Sequence, residues 1–233
     1  MKHIFLIVFT LVSFASCRYT TGSGNIISET RSVSDFYSIS VGGGFDVEVK
    51  TGPVISVMVE ADDNIMKYIK TQTLGSTLKI STEDMHNYSN VHMKVYITTP
   101  SLKTIKASAS AEVEVMDILK SNGKLSFKVS SGANIKAEID APDVESDVSS
   151  GGNINLSGKT KNYAAEASSG SEISAWDLLS ENTTVKVSSG ASAKVHASIS
   201  LHATGSSGAT VTYHGAANVS KSVSSGASVN KKD

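Results

Sequence analysis

The second half of the chain alternates small or apolar residues with polar ones, and the alternation restarts at regular intervals. The triplet Ser-Ser-Gly marks each restart, with its glycine at Gly132, Gly151, Gly170, Gly190, Gly208 and Gly226. A degenerate copy, Ser108-Ala109-Ser110, lies upstream of the first triplet. A period of two residues is typical of β-strands and not of helices. The pattern therefore predicts short strands that repeat every 18 to 20 residues.

Alignment of the copies gives columns that stay small or apolar in every repeat. The column two residues before the second serine contains Val129, Val148, Ala167, Val187, Gly205 and Val223. The column directly after the glycine contains Ala133, Gly152, Ser171, Ala191, Ala209 and Ala227. The column two residues further on contains Ile135, Ile154, Ile173, Ala193, Val211 and Val229. Conserved inward columns with polar residues between them predict a parallel β-helix, in which each coil hydrogen-bonds to the next about 4.8 Å away.

The second serine of each triplet has the same parity as these columns. We therefore expect Ser131, Ser150, Ser169, Ser189, Ser207 and Ser225 to point inward at a narrow corner that admits only small side chains. The glycine would supply the bend, since it adopts positive φ without a Cβ clash. A row of serine nucleophiles or glycan acceptors is the alternative, but no histidine accompanies the serines at a constant spacing. We interpret the serines as a packing device.

Residues 25–100 do not follow the repeat and contain most of the larger apolar side chains. They read as strands around a Gly42-Gly43-Gly44 turn, with Asp62-Asp63-Asn64 as the acidic cap of one short helix. We expect this β-rich segment to cap the solenoid formed by residues 101–233. At the other end, Lys221 has inward parity and Lys231-Lys232-Asp233 follows, a charged last coil that would discourage end-to-end stacking.

The N-terminus reads as an export signal. Lys2 and His3 precede an apolar run over residues 4–14 that is too short to span a bilayer. Ala15-Ser16-Cys17 then resembles a bacterial lipobox, in which the cysteine is acylated and becomes the first mature residue. We predict a signal peptide over residues 1–16, lipidation at Cys17 and an anchor linker over residues 17–24. A secreted chain with an unmodified Cys17 is the alternative.

Composition narrows the choice of partners. The chain has 21 Lys and Arg against 22 Asp and Glu, with no long basic run, which argues against nucleic acid or anionic lipid as the main partner. A single cysteine excludes a disulfide framework and a cysteine-based zinc cluster. Residues 101–233 contain 28 Ser and 11 Gly but only four aromatic residues. Such a composition is typical of linkers, yet the repeat assigns these residues to the core of a tight solenoid.

Three rings fall in one outward column of the repeats, namely Trp176, His196 and His214. Such a row could stack on a sugar or, with His202, bind a metal ion. The simpler interpretation is a partly solvated outer wall, because a zinc site needs three or four fixed ligands. We therefore treat Trp176, His196 and His214 as a candidate ligand-binding row and predict no metal site.

The densest acidic group consists of Asp140, Asp143, Glu145 and Asp147. Polysaccharide hydrolases and lyases built on β-helices use carboxylate clusters, but paired catalytic carboxylates need a fixed spacing and separated pKa values. We interpret these residues as turn and edge positions, and we predict neither a catalytic residue nor a cofactor.

The non-repeating part carries a family resemblance. The run over residues 36–49 with Gly44-Phe45-Asp46-Val47, the segment from Val59 to Ile65 and the run from Gly75 to Ile80, followed by Ser-Ser-Gly coils, resemble the head GIN domain family of adhesin-like Bacteroidetes lipoproteins. The resemblance implies a right-handed, pectin-lyase-like β-helix on an exported, usually lipid-anchored chain, and it brings no catalytic residues.

Residues and resemblance together predict a non-enzymatic, adhesin-like lipoprotein of the cell envelope. It would be anchored to the outer membrane by its lipid alone, facing either the periplasm or the cell surface. The stacked polar faces of the β-helix would bind a glycan or a protein of the envelope or host, without nucleic acid and without a cofactor. The alternatives are a β-helix carbohydrate-active enzyme and a structural spacer without a ligand.

Overall fold

The computed structural model describes residues 19–83 and 87–232, which form a nearly all-β solenoid of about seven turns. The parallel β-helix predicted from the repeat is confirmed. The predicted signal peptide and Cys17 lie outside the described residues. No helix in the described part of the chain is long and apolar enough to cross a membrane.

The described residues form 22 strands and one single-turn helix, and β1 and β8 make a separate two-stranded sheet. The strands before the first Ser-Ser-Gly triplet are β1 (Tyr19–Thr21), β2 (Ile26–Arg31), β3 (Ser38–Gly42), β4 (Asp46–Thr51), β5 (Ser56–Asp62), β6 (Ile69–Leu74), β7 (Thr77–Thr82), β8 (Asn87–Ser89), β9 (Met93–Thr99), β10 (Thr104–Ser108), β11 (Glu112–Val115), β12 (Leu119–Lys120) and β13 (Lys124–Val129), with α1 (Asp63–Met66) between β5 and β6. The remaining strands are β14 (Asn134–Val148), β15 (Asn153–Ala167), β16 (Glu172–Ala175), β17 (Leu178–Val187), β18 (Ser192–His196), β19 (Ser200–Gly205), β20 (Thr210–His214), β21 (Asn218–Val223) and β22 (Ser228–Lys231).

Each coil has three sides, which we call faces A, B and C. Face A holds the strands before the Ser-Ser-Gly corner, among them β13, β19, β21 and the second halves of β14, β15 and β17. Face B holds the strands after the corner, among them β11, β16, β18, β20, β22 and the first halves of β14 and β15. Face C is a short ladder that joins Leu119, Ile139, Gly158 and Leu178.

The expectation that the second serine of each triplet points inward is wrong. The side chains of Ser131, Ser150, Ser169, Ser189, Ser207 and Ser225 are exposed. Each of these serines has φ between 50° and 55°, and the glycine after it has φ between 69° and 75°. Side chains alternate strictly between inside and outside only along an extended backbone. The alternation breaks at the corner because two consecutive residues there have left-handed φ values.

The corner is a tight turn with its own hydrogen-bond ladder. The residue after the glycine donates its amide to the carbonyl of the first serine at 2.9–3.3 Å, as Ala133 does to Ser130. Positive φ at both central residues is the signature of a type I′ turn and favours glycine. The glycine amide in turn donates to the corner serine of the next coil, as Gly132 does to Ser150 at 3.1 Å. The triplet therefore serves the backbone of the corner and not the packing of the core.

Before the last coil, the predicted inward columns are otherwise buried. Isoleucines such as Ile135 and Ile154 and small residues such as Ala133 and Ser171 are at most 2% exposed. The largest fully buried side chains lie in the first coils and include Phe36, Phe45 and Phe127, whereas alanines dominate the interior of the later coils. The solenoid thus has a bulky core at its N-terminal end and a narrow one towards its C-terminal end.

At the N-terminal end, the order of strands along the axis differs from their order in the chain. Strands β7 and β9 pair in parallel with β3 and β4, so this coil lies before the coil that precedes it in sequence. Beyond it, β6 pairs antiparallel with β7, β5 with β9, and β2 with β5. These antiparallel strands cover the N-terminal end of the parallel stack.

The prediction that the Asp62 side chain caps the short helix is wrong. Helix α1 exists, but Asp62 makes no side-chain capping bond to it. The buried Asp62 carboxylate instead accepts the backbone amides of Gly24 and His92, both at 2.7 Å. Asp63 accepts Ser23 Oγ at 2.6 Å and Asn25 Nδ2 at 2.9 Å. The acidic pair therefore fastens the segment that leads into β2 onto the solenoid.

The C-terminal end has no comparable cover within the described chain. All six residues of β21 are exposed. Val219 is 39% exposed although its partner in the preceding coil, Leu201, is 2% exposed. Val223 is 48% exposed, whereas Val187 in the same column is 3% exposed. The apolar interior therefore reaches solvent at this end.

Candidate ligand-binding surfaces

The structure brings Trp176, His196 and His214 together at the end of face B, a set that we call the ring cluster. His196 and His214 end β18 and β20 and are paired in register. The ring of Trp176 lies across the intervening coil and stacks on His214, with centroids 4.0 Å apart and planes at 18°. His196 meets His214 edge-on at 4.8 Å. The row predicted from spacing is thus one packed cluster.

Backbone groups already hold the two imidazoles. His214 Nε2 lies 2.8 Å from the Trp176 carbonyl oxygen and donates to it. His196 Nδ1 lies 3.1 Å from both the amide nitrogen and the carbonyl oxygen of Ser180, so either tautomer finds a partner. Partial burial, followed by the neighbouring His214, lowers the pKa of His196. The cluster therefore favours a neutral His196, and both imidazoles are engaged by backbone groups, while His214 covers one face of Trp176.

The fourth residue considered with this row, His202, lies elsewhere. It is exposed on β19 of face A, where it pairs with Thr184 and Ser220. Among residues 19–83 and 87–232, no three His, Cys, Asp or Glu side chains converge as metal ligands would. The ring cluster thus has two histidines and no third ligand from the described chain.

Beside the ring cluster, an open groove of about 390 Å³ runs along face C. We call it the face C groove; His196, Leu179, Lys159, Asp140, Pro142 and Ser198 are among the residues that line it. Leu179 is 57% exposed, and Lys159 pairs with Asp140 at 3.3 Å. Sequence reasoning missed this groove. The signal for it was the pair Leu178-Leu179, since adjacent strand residues point to opposite sides and one leucine must face out.

The four acidic residues do not share one site. Each lies beside a cation or amide on a neighbouring coil: Asp140 with Lys159, Asp143 with Asn162, Glu145 with Lys124, and Asp147 with Lys128. The hydrogen bond from Lys124 is the main cause that lowers the pKa of Glu145. An ionised carboxylate bound to lysine is a poor general acid. This arrangement stabilises adjacent coils and does not resemble a catalytic carboxylate pair.

Face B carries a flat polar surface that we call the face B patch. Its outward side chains line a groove of about 450 Å³ and come from four successive coils: Glu112 and Glu114, Asn134 and Lys136, Asn153 and Asn155, and Glu172 and Ser174. Strand pairing fixes their spacing, because adjacent coils lie about 4.8 Å apart.

The face B patch contains two ion pairs, with asparagine amides between them. Lys136 binds Glu114 at 2.7 Å, and Lys194 binds Glu172 at 2.9 Å. The exposed side chains of Asn134 and Asn155, on adjacent coils between these pairs, make no hydrogen bond to any other described residue. Each amide offers two donors and one acceptor oxygen. The patch therefore presents unused hydrogen-bonding groups on a rigid sheet.

The described residues belong to the class of parallel β-solenoids. Antiparallel strands cover one end, and polar side chains form ladders on the outer faces. The sequence matches the family model described as "Putative auto-transporter adhesin, head GIN domain" over residues 35–217. The chain belongs to this family, as the resemblance predicted. No curated protein matches the sequence significantly.

Solved structures share the fold at low identity. A protein from Bacteroides fragilis, described as a "putative adhesin", is 18% identical with a TM-score of 0.83, and the match covers 91% of this chain and 98% of that one. A second protein described in the same words, from Parabacteroides merdae, is 21% identical with a TM-score of 0.75, and the match covers 92% of this chain and 99% of that one. A protein from Parabacteroides distasonis, described as lipid-binding, is 21% identical with a TM-score of 0.73, covering 93% and 100%.

Proposed function

We propose that this protein is an exported, non-enzymatic module of the cell envelope that binds a glycan or a protein through the face B patch. The observation that carries the proposal is the pair of free amides, Asn134 and Asn155, on a rigid polar surface. Membership of an adhesin-like family supports a binding role at the envelope. The lipobox at Cys17 supports anchoring by a lipid in the outer membrane.

The chemistry of the patch favours a polar ligand. Asparagine amides can donate to and accept from the hydroxyls of a sugar or the backbone of a protein. A preformed sheet contributes little ordering cost when a ligand binds, because the backbone of each coil is fixed by its neighbours. The flanking ion pairs hold Lys136 and Lys194 in place, so the surface is organised before a ligand arrives.

The arrangement of the acidic residues supports a binding role over an enzymatic one. A glycosidase holds two carboxyl groups across one substrate, with separated pKa values. Here Glu145 and Asp147 point towards lysines on face A, and Asp140 pairs with Lys159 in the face C groove. The ring cluster is a second candidate surface for a sugar, since its His196 and the exposed Leu179 line the face C groove.

The test is a glycan array and a pull-down from envelope fractions with the wild-type chain and the double variant Asn134→Ala/Asn155→Ala. We expect the double variant to lose about tenfold or more in affinity, since each hydrogen bond contributes about 1 kcal/mol. Asn122→Ala is the matched control, because Asn122 is exposed in the loop after β12, outside the patch. Array and pull-down without any ligand, together with unchanged adhesion in a deletion strain, would refute the proposal.

A further inference from the structure

The near-neutral net charge conceals a segregation of charge along the axis. Residues 182–232 contain five lysines and neither Asp nor Glu. Lys186 and Lys194 bind Glu166 and Glu172 of earlier coils at 2.8 and 2.9 Å. The other three lysines, Lys221, Lys231 and Lys232, form no ion pair with any described residue. Among the described residues, positive charge without an acidic partner is therefore concentrated on the last coil.

The same coil presents an open strand edge. Strand β21 pairs with β19, and no described strand pairs with its other side. The amides of Asn218 and Ser224 donate towards the preceding coil. Because amides of a strand alternate in direction, those of Val219, Lys221 and Val223 point to the free side. The free edge thus presents the backbone groups of these three residues. Their side chains lie in register with the inward residues of β19.

These three side chains would meet an added strand directly. Val219 and Val223 are exposed apolar groups that flank the charged Lys221. An added strand would place one residue opposite each of these side chains. The favourable partners are apolar residues opposite the two valines and an acidic residue opposite the lysine. The opposite end of this molecule shows that the stack accepts strands in addition to its repeats, because β2, β5 and β6 pair there in antiparallel orientation.

We propose that the edge of β21 binds an extended segment of a partner protein by strand addition, and that this segment places a carboxylate opposite Lys221 between two apolar residues. Backbone hydrogen bonds would supply affinity, and alternate side chains would supply specificity. Charge complementarity selects an acidic segment, since the described residues of the last coil include three lysines and no carboxylate side chain. This surface is separate from the face B patch, so the inference does not depend on the proposed function.

The probe is a fluorescent peptide, Thr-Val-Thr-Glu-Thr-Val-Thr, titrated with the full chain in an anisotropy assay. We expect saturable binding, and about tenfold weaker binding of the peptide with lysine in place of glutamate, because like charges opposite each other destabilise a strand pair. Lys221→Glu should reverse that preference. Lys221→Pro should abolish binding, since proline removes the outward amide and leaves the bonds to β19 intact. Lys106→Glu, an exposed lysine on the doubly paired β10, is the matched control.

Thermal unfolding of each variant establishes that it folds, and the comparison of peptides on the wild-type chain tests the proposal without any variant. Equal binding of the glutamate and lysine peptides would overturn it, as would unchanged binding to Lys221→Pro. Binding of polyglutamate as tight as that of the alternating peptide would also overturn it, since that result shows charge attraction without strand addition. If Lys221 serves only to prevent two copies of the chain from pairing through β21, no peptide binds and the proposal fails. Self-association of the chain through β21 in sedimentation experiments would assign the edge to a second copy instead.

Discussion

At the N-terminal end of the solenoid, antiparallel strands lie over the parallel stack and the core contains phenylalanines such as Phe36 and Phe45. At the C-terminal end, the core consists of residues such as Ala193, Ala203 and Ala209, and β21 leaves the last valines in solvent. Only the C-terminal end is built from the Ser-Ser-Gly repeat, since residues 25–100 do not follow it. The difference shows that the repeat fixes the coil, whereas additional segments decide whether the end of the stack is covered.

The two ends also differ in how much apolar burial stabilises each coil. A bulky core buries more apolar surface per coil, at roughly 25 cal/mol per Å². A narrow core of alanines gains less from burial and relies more on the continuous hydrogen-bond ladders of its faces and corners. We therefore expect the free energy of unfolding to be unevenly distributed along the axis.

The largest effect is expected in the bulky core. Phe45→Ala should lower the free energy of unfolding by about 3–5 kcal/mol, because it opens a cavity at a fully buried position. Chemical denaturation of the variant and the wild type measures the difference. A loss below about 1 kcal/mol would contradict the assignment of this end as the main store of apolar burial.

A smaller effect should separate the middle of the stack from its open end. Val187→Ala should cost about 2 kcal/mol, since it removes buried methyl groups, whereas Val223→Ala in the same column should cost less than about 0.5 kcal/mol. Val187 has a following coil stacked against it, whereas no described coil follows Val223. Equal losses in denaturant titrations would show that β21 is covered in solution.

The smallest effect concerns pH. Burial lowers the pKa of His196 below 6.5, so the unfolded chain binds its proton more readily and stability falls as the pH drops below about 6.5. Hydrogen bonds from Ser23 and Asn25 lower the pKa of Asp63 below 3.8, so its contribution persists until the pH falls below about 3.8. Hydrogen exchange between pH 7 and pH 3 should therefore show the coil of the ring cluster losing protection before the N-terminal segment does.

His196→Asn provides the control for this titration. The asparagine side chain retains a polar atom near the position of Nδ1 but does not titrate in this range. The early loss of protection should be absent in the variant, whereas the loss near the N-terminal segment should remain. An unchanged early phase in His196→Asn would show that another group causes it.

Much of the architecture could be predicted from the printed sequence. The buried columns that contain Val129, Ala133 and Ile135 follow from period-two alternation, since a strand side chain has only two directions available. The corner serines could not be placed in this way. Ser131 continues the parity of its neighbours in sequence but adopts positive φ, and that backbone conformation turns its side chain to solvent.

The candidate surfaces were predictable only in part. The constant spacing of His196 and His214 indicated neighbouring coils, and the structure pairs them. The stacking of Trp176 on His214 across an intervening coil depends on side-chain rotamers and on the tilt of His196 towards Ser180. The face C groove and the free amides of Asn134 and Asn155 depend on which neighbours form ion pairs, and those pairings need coordinates in three dimensions.

The sequence by itself determined the repeat, the inward columns and the family, because burial of alternate residues leaves a periodic record in the chain. Only the tertiary structure decided the axial order of the first coils, the direction of the corner serines and the exposure of β21. Each of these depends on contacts between coils that are distant in sequence. The same valine column is core at Val187 and surface at Val223, since within the described residues only Val187 has another coil stacked beyond it.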